Sequence, residues 1–205
     1  MKPALETRLP NLPPHAAVAA PATTAWEIDS AHTTAGFSVR HMMVAKVRGR
    51  FEQVRGTVHL DDADPTRSRL DIVIEAGSID TRNAQRDGHL KSPDFFDVAQ
   101  YPSITFRSTQ IEKVGPGSLQ VTGDLTMRGV TRPVTLAVEG PTSPLKNPFG
   151  KQVRGVSATA KLNRKDWGLN WNAALETGGV LVGEQVELEI DAELVQDAAP
   201  ATGAQ

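Results

Sequence analysis

Cysteine is absent from this 205-residue sequence, which excludes thiolate catalysis, disulfide bonds, iron–sulfur clusters and cysteine-ligated zinc. Aromatic residues make up only 5% of the chain, and 22 Lys and Arg nearly balance 24 Asp and Glu. A formal net charge of -2 creates no overall positive field, so nucleic-acid binding is disfavoured. No uncharged apolar run reaches the roughly 18 to 20 residues that a membrane-spanning helix needs, so no span is predicted.

The two ends of the chain lack a periodic apolar pattern. Residues 1–24 are rich in Pro and Ala, and residues 197–205 contain mainly Ala, Pro, Gly and Gln. We therefore predict a flexible N-terminal arm and a disordered C-terminal tail around a folded domain at 25–196. Within the arm, Glu6 and Arg8 interrupt the apolar stretch that a secretory signal needs, so we expect a cytoplasmic location.

Apolar residues in the folded domain recur with a period of two, which is typical of strands with one buried face. In residues 186–194, for example, apolar residues alternate with Glu and Asp. The odd step from Phe51 to Val54 indicates a bulge or bend in another strand. About eight such strands predict an all-β fold, an eight-stranded antiparallel barrel, because closure leaves no exposed sheet edge. One or two short helices are predicted within 83–98.

The interior of an eight-stranded barrel is either filled by side chains or holds one small ligand. The side chains predicted to face inward are mostly unbranched or aromatic, and such a lining suits a long hydrocarbon chain. The residues predicted to line a lumen are Phe37, Val39, His41, Met43, Phe51, Phe106, Leu125 and Met127, with Trp167 and Trp171 near an open end. A solid hydrophobic core is the alternative. For His41, the alternative is a hydrogen-bonded interior histidine.

Four blocks of sequence resemble the YceI-like family of lipocalin-like proteins. They are residues 28–51 (IDSAHTTAGFSVRHMMVAKVRGRF), 86–106 (RDGHLKSPDFFDVAQYPSITF), 121–136 (VTGDLTMRGVTRPVTL) and 163–168 (NRKDWG). The blocks occur in the family's order and span nearly the whole folded domain. The resemblance implies a lipocalin-like barrel whose lumen holds a polyisoprenoid chain, such as an isoprenoid quinone or a polyprenyl phosphate.

Polar residues between the strands are candidates for contact with the head group of such a ligand. Arg86, Asp87 and His89 fall in an irregular segment that could cap the barrel mouth, and Arg164 falls in another. Arg and His would bind a quinone or phosphate through charge-assisted hydrogen bonds. An Arg–Asp pair that holds a short helix against the barrel is the alternative for Arg86 and Asp87. No residue spacing requires a metal ion or a further cofactor, so none is predicted.

We therefore predict a non-catalytic carrier that shields a polyisoprenoid lipid or quinone from water. One alternative is an enzyme that acts on an isoprenoid or small molecule through His41, Asp87 and His89. Another is a stress-related structural or interaction module with a filled core. One basic strand face, formed by Lys46, Arg48, Arg50 and Arg55, leaves open a transient contact with anionic lipid at a membrane surface or with nucleic acid. The alternative is that the acidic residues within 187–193 neutralise this face. A homodimer also stays open.

Overall fold

The computed structural model describes residues 23–175 and 179–196. The predicted N-terminal arm up to residue 22 and the whole predicted C-terminal tail lie outside the described residues. The strands are β1 (Thr24–His41), β2 (Ala45–Phe51), β3 (Val54–Leu60), β4 (Arg69–Glu75), β5 (Ile79–Asp80), β6 (Ser103–Gly115), β7 (Ser118–Met127), β8 (Val130–Glu139), β9 (Leu145–Lys146), β10 (Gln152–Asn163) and β11 (Val182–Gln196). Within the described chain, one α-helix, α1, covers Ala84–Lys91, and short 3-10 helices cover Pro65–Arg67, Ala76–Ser78 and Arg164–Trp167.

Eight strands close into a ring of antiparallel neighbours. Their order around the ring is β1, β3, β4, β6, β7, β8, β10 and β11, and β11 pairs back onto β1. The β1–β11 ladder runs from Glu27 opposite Val195 to His41 opposite Val182. The predicted eight-stranded antiparallel barrel is confirmed, and its closure pairs both edges of the sheet.

Strands β2 and β3 act as one bent strand beside β1. β2 pairs with the second half of β1, and β3 pairs with its beginning. The bend lies at Glu52, whose N–H donates a hydrogen bond to the Ser78 carbonyl at 3.2 Å. It falls where the odd spacing of Phe51 and Val54 predicts it. Because the strand breaks there, both side chains are buried, at 8% and 5% exposure.

The two ends of the barrel differ. At one end, here called the mouth, β1 ends and β11 begins, and α1 follows β5. The Asn83 side chain caps α1 by accepting the Arg86 N–H at 3.0 Å. Residues 92–98 form turns and no second helix, because Asp97 has a left-handed φ of 50° and its N–H returns to the Ser92 carbonyl. At the other end, called the closed end, β1 begins and β11 ends.

The buried apolar residues line the inside of the ring. The main core cluster includes Phe51, Phe106, Leu125 and Trp167. A smaller cluster at the closed end consists of Trp26, Val58, Leu60 and Leu194. Among the described residues, no helix combines the length and the apolar character that crossing a bilayer requires.

Candidate ligand-binding tunnel

Three adjoining cavities run through the barrel. The deep cavity near the closed end measures about 200 Å³, the inner cavity about 150 Å³ and the mouth cavity about 420 Å³. The deep and inner cavities share Ala35, Ile74, Leu125, Leu188 and Ile190 as lining residues. The inner and mouth cavities share Phe37, Val39, Leu90, Phe95 and Val182. The three cavities therefore lie end to end from the mouth towards the closed end, and this row of cavities is here called the tunnel.

The deep cavity has an almost wholly apolar wall. Aliphatic side chains from all eight ring strands line it. Its polar lining residues are Thr33, Asp61, Asp62 and Ser68. Each buried methylene of a ligand would contribute about 0.8 kcal/mol here. An unpaired charged group would be excluded, because its desolvation is not compensated.

Two glycines keep aromatic rings flat against the tunnel wall. Phe37 lies opposite Gly49 of β2, and a Cβ at Gly49 would stand 2.5 Å from Phe37 Cζ. The Phe106 ring covers Gly123 in the same way, because a Cβ at Gly123 would stand 2.5 Å from Phe106 Cζ. Since neither position carries a side chain, both rings form part of the wall and do not fill the lumen.

The mouth cavity combines apolar and polar lining. Its ionisable lining residues are Arg40, His41, Arg86 and His89, and its other polar lining residues are Thr81, Asn83 and Gln85. An aromatic cluster stands beside them. The His89 ring centroid lies 4.6 Å from that of Trp171 and 5.1 Å from that of Phe95, both edge-on. His89 Nε2 also lies 2.9 Å from Asp94 Oδ2, so these contacts fix the imidazole at the mouth.

Arg86 and Asp87 both bind Thr81, the residue that follows β5. Arg86 donates from Nε to Thr81 Oγ1 and from Nη2 to the Thr81 carbonyl, each at 2.7 Å. Asp87 Oδ1 accepts the Thr81 N–H at 3.0 Å and its hydroxyl at 2.5 Å. The two residues thus hold α1 to β5 through a shared threonine. Asp87 does not line the mouth cavity, whereas His41 and His89 do.

Arg164 is a buried guanidinium on the wall of the inner cavity. It is 4% exposed, and its Nε donates to the Gly183 carbonyl at 3.0 Å. Its other two nitrogens donate to the carbonyls of Leu169 and Val182. No carboxylate of the described residues pairs with it, and burial lowers the pKa of Arg164, although a guanidinium stays protonated. Three of its five N–H groups donate to these carbonyls, and the other two have no acceptor among the described residues.

Two residues predicted to line the tunnel lie elsewhere. Met43 sits in the turn after β1, with φ 59° and 65% exposure. The strand ends at His41, whose carbonyl accepts the Val44 N–H at 3.0 Å, so the apolar alternation does not continue to Met43. Trp167 is 2% exposed and packs in the core outside the three cavities, where its indole N–H donates to the Leu125 carbonyl at 3.1 Å.

The other residues predicted to line a lumen do line the tunnel. Phe37, Val39, Phe51, Leu125 and Met127 line the inner cavity, Phe106 lines the deep cavity, and His41 and Trp171 line the mouth cavity. Leu90 and Phe95 also line the tunnel and are not among the predicted residues. Leu90 is the only large apolar residue of α1, so no periodic pattern points to it.

Charged side chains pair across the closed end. Arg154 is 7% exposed and donates two hydrogen bonds, of 2.7 and 2.9 Å, to the carboxylate of Asp62. The neighbouring Asp61 accepts the N–H groups of Ala63 and Asp64 at 3.0 and 2.9 Å. The hydrogen bond from Asp64, together with the Arg67 guanidinium, lowers the pKa of Asp61 below its ordinary value.

One side-chain group on the barrel exterior has donors of metal-ligand type. Ligand atoms of Asp29, His32 and Glu193 lie within 4.8 Å of one another. His32 Nδ1 is 3.0 Å from Asp29 Oδ2 and 3.8 Å from Glu193 Oε1. The hydrogen bond with Asp29 raises the pKa of His32, and Glu193 raises it further. Ion pairing of His32 with the two carboxylates explains why these three side chains lie together, and we assign no metal to the group.

A closed eight-stranded antiparallel barrel with an apolar tunnel defines this protein as a lipocalin-like barrel. The model of the YceI-like domain matches residues 26–194. The chain therefore belongs to the YceI-like family, as the four sequence blocks indicate.

Known proteins resemble the chain over most of its length. The UPF0312 protein SA2479 of Staphylococcus aureus is 40% identical over 171 residues, which cover 83% of this chain and 96% of the relative. BcnA of Burkholderia cenocepacia has the same fold at 21% identity, with a TM-score of 0.69 over 81% of this chain and 98% of BcnA. A polyisoprenoid binding domain from Saccharophagus degradans is 16% identical, with a TM-score of 0.58 over 85% of this chain and 98% of that domain.

Proposed function

We propose that this protein binds and carries a polyisoprenoid, such as an isoprenoid quinone or a polyprenyl phosphate, with the tail inside the tunnel and the head group at the mouth. The end-to-end arrangement of the three cavities carries this proposal, because the inner cavity shares lining residues with both other cavities. A long, flexible hydrocarbon uses all three spaces, whereas a compact ligand uses only one.

The chemistry of the wall supports a hydrocarbon tail. Each buried methylene contributes about 0.8 kcal/mol, from which the free energy of ordering and association must be subtracted. The Saccharophagus degradans domain with the same fold is a polyisoprenoid binding domain, which supports this ligand class.

Arg164 supports the placement of the head group. Its guanidinium lines the inner cavity beside Val182, which also lines the mouth cavity. A quinone carbonyl and a phosphate oxygen are both acceptors for its two remaining N–H groups. His89 and Arg86 line the wider mouth cavity, where they would meet the solvent-facing side of the same head group.

Organic extraction of the purified protein, followed by mass spectrometry, tests the proposal. We expect a stoichiometric isoprenoid, or uptake of added ubiquinone or undecaprenyl phosphate by the extracted protein. Protein that carries no isoprenoid and takes up neither compound would refute the proposal.

A variant that narrows the tunnel makes the same test specific to the interior. Ala35 lines both the deep and the inner cavity, so Ala35→Phe fills their junction and should abolish uptake of the chain. Ala137 lies on the exposed outer face of β8, so Ala137→Phe is the matched control and should leave uptake unchanged. If Ala35→Phe does not fold, Ala158→Phe in the deep cavity replaces it.

A further inference from the structure

The turn between β1 and β2 presents three large apolar side chains to solvent beside the mouth. Met42 is 43% exposed, Met43 65% and Val44 82%. Turns at the ends of β-hairpins are ordinarily polar, so an exposed apolar tip of this kind marks an interaction site. We infer that this tip, named the hairpin tip, inserts into the surface of an anionic lipid bilayer and places the tunnel mouth against the membrane.

The backbone of the hairpin tip is strained. Met42 and Met43 have φ values of 51° and 59°, in the left-handed region that Asn and Gly occupy at much lower cost. Neither methionine is a core side chain, because Met42 is 43% and Met43 65% exposed. Such strain at an exposed site indicates that the side chains serve contacts outside the folded chain.

Positive charges flank the hairpin tip on the same two strands. Arg40 lies directly opposite Lys46, and Arg48 lies two residues further along β2. Like charges in directly opposite positions destabilise a hairpin. Lys46 pairs with Glu187, whereas Arg40 and Arg48 form no ion pair with any residue that the structure describes. Two free cations beneath an apolar tip are the pattern that recognises anionic head groups above a hydrocarbon layer.

The position of the hairpin tip links it to the tunnel. His41 and Val47, which flank the tip on β1 and β2, line the mouth cavity, and so does Arg40. Met42 donates its N–H to the carbonyl of Leu181, another lining residue, at 2.8 Å. Insertion of the tip therefore brings the mouth to the depth of the lipid head groups. A stable protein interface buries roughly 800 Å² on each partner, which is more surface than three side chains offer. A tip of this size therefore suits insertion into a bilayer better than docking onto another protein.

The closed end also carries exposed apolar residues, Leu145 and Phe149 among them, and supplies the matched control. Phe149 is 88% exposed in the turn between β9 and β10. It is at least as exposed as Val44 and larger, but it lies at the closed end, where Arg154 pairs with Asp62. If exposure alone brought the protein to a membrane, Phe149 would matter as much as the hairpin tip.

Sedimentation with vesicles tests the inference. The vesicles contain phosphatidylcholine and phosphatidylglycerol in equal amounts, or phosphatidylcholine alone, and no isoprenoid, so the result does not depend on the proposed function. We expect the wild-type protein to bind the anionic vesicles and to bind neutral vesicles much more weakly. Arg40→Gln with Arg48→Gln should weaken binding about 25-fold, because each cation contributes roughly fivefold. Phe149→Ser should leave binding unchanged.

A variant that relieves the strain separates a membrane role from a structural one. Met42→Asn with Met43→Gly supplies residues that favour left-handed φ, so the protein should melt at a higher temperature and bind anionic vesicles less. The inference is overturned if Phe149→Ser weakens vesicle binding as much as Met42→Asn with Met43→Gly does. It is also overturned if Met42→Asn with Met43→Gly leaves vesicle binding undiminished. So does the absence of vesicle binding in wild-type protein that takes up an isoprenoid normally.

Discussion

The guanidinium of Arg154 lies over the indole of Trp26, with its Cζ 4.9 Å from the ring centroid. Trp26 comes from the beginning of β1 and Arg154 from β10, and Asp62 holds the other side of the guanidinium from the loop after β3. Both Trp26 and Arg154 are more than nine-tenths buried. This contact joins three parts of the chain across the closed end.

Arg154→Ala should therefore destabilise the protein by about 1 to 3 kcal/mol, because the ring contact and both hydrogen bonds are lost together. At roughly 2 to 4 °C for each kcal/mol, thermal unfolding followed by circular dichroism resolves the change. Arg107→Ala is the control, since the Arg107–Asp71 pair is exposed on both sides and should leave the midpoint near that of the wild type. Equal midpoints for the two variants would contradict a stabilising role of Arg154.

The Arg154–Asp62 pair at the closed end is only partly predictable from the sequence. Ala158 and Val156 are inward-facing residues in the alternating pattern of β10, and Arg154 continues the same parity. The alternating pattern therefore places the charge of Arg154 inside the barrel, where charged side chains are normally paired. Asp62 as its partner could not be predicted, because the pairing spans 92 residues and depends on how the ring closes.

Gly49→Ala tests whether close packing keeps the inner cavity open. The added Cβ would meet the Phe37 ring at 2.5 Å and Thr81 Cγ2 at 2.7 Å, both of them side chains that can move. The ring would turn into the cavity, so we expect isoprenoid affinity to fall on the order of tenfold, the equivalent of about two buried methylenes. Titration calorimetry measures it. Gly77→Ala, which would contact nothing within 4 Å, should bind normally, and equal affinities for the two variants would argue against this role of Gly49.

Arg164→Met removes the donor to three carbonyls, those of Leu169, Val182 and Gly183. Buried carbonyls without partners cost about 1 to 3 kcal/mol each, so urea unfolding should show a loss of at least about 2 kcal/mol. An unchanged unfolding midpoint would mean that these carbonyls find other donors. Arg164 would then act only on a ligand.

His32 should titrate above its ordinary pKa of about 6.5, because Asp29 and, less strongly, Glu193 favour its protonated form. Its contribution to stability is therefore complete below that ordinary value and is lost as the pH rises through the raised value. Asp29 has a lowered pKa, so its contribution is lost only as the pH falls through that value. NMR titration should show a larger drop in the His32 pKa for Asp29→Asn than for Glu193→Gln. The reverse order would contradict the contacts described.

The fold can be predicted from the sequence much more completely than the candidate site can. The acidic face of β11 and the bend after Phe51 follow from a period of two and from its interruption, which are local properties. The turn at Met42 and Met43 escapes such reasoning, because neither residue favours left-handed φ and their apolar character extends the strand pattern. The three-carbonyl site of Arg164 is equally hidden, since its acceptors are backbone atoms of other segments.

Photo-crosslinking with two forms of one isoprenoid tests the central claim most directly. One form carries the photoreactive group on the terminal isoprene unit, and the other carries it at the head group. The tail label should attach to deep residues such as Val134 and Leu136 of β8, and the head label to mouth residues such as His89 and Trp171. A tail label found at the mouth, or both labels found on the outside of the barrel, would contradict a tunnel that takes the chain lengthwise.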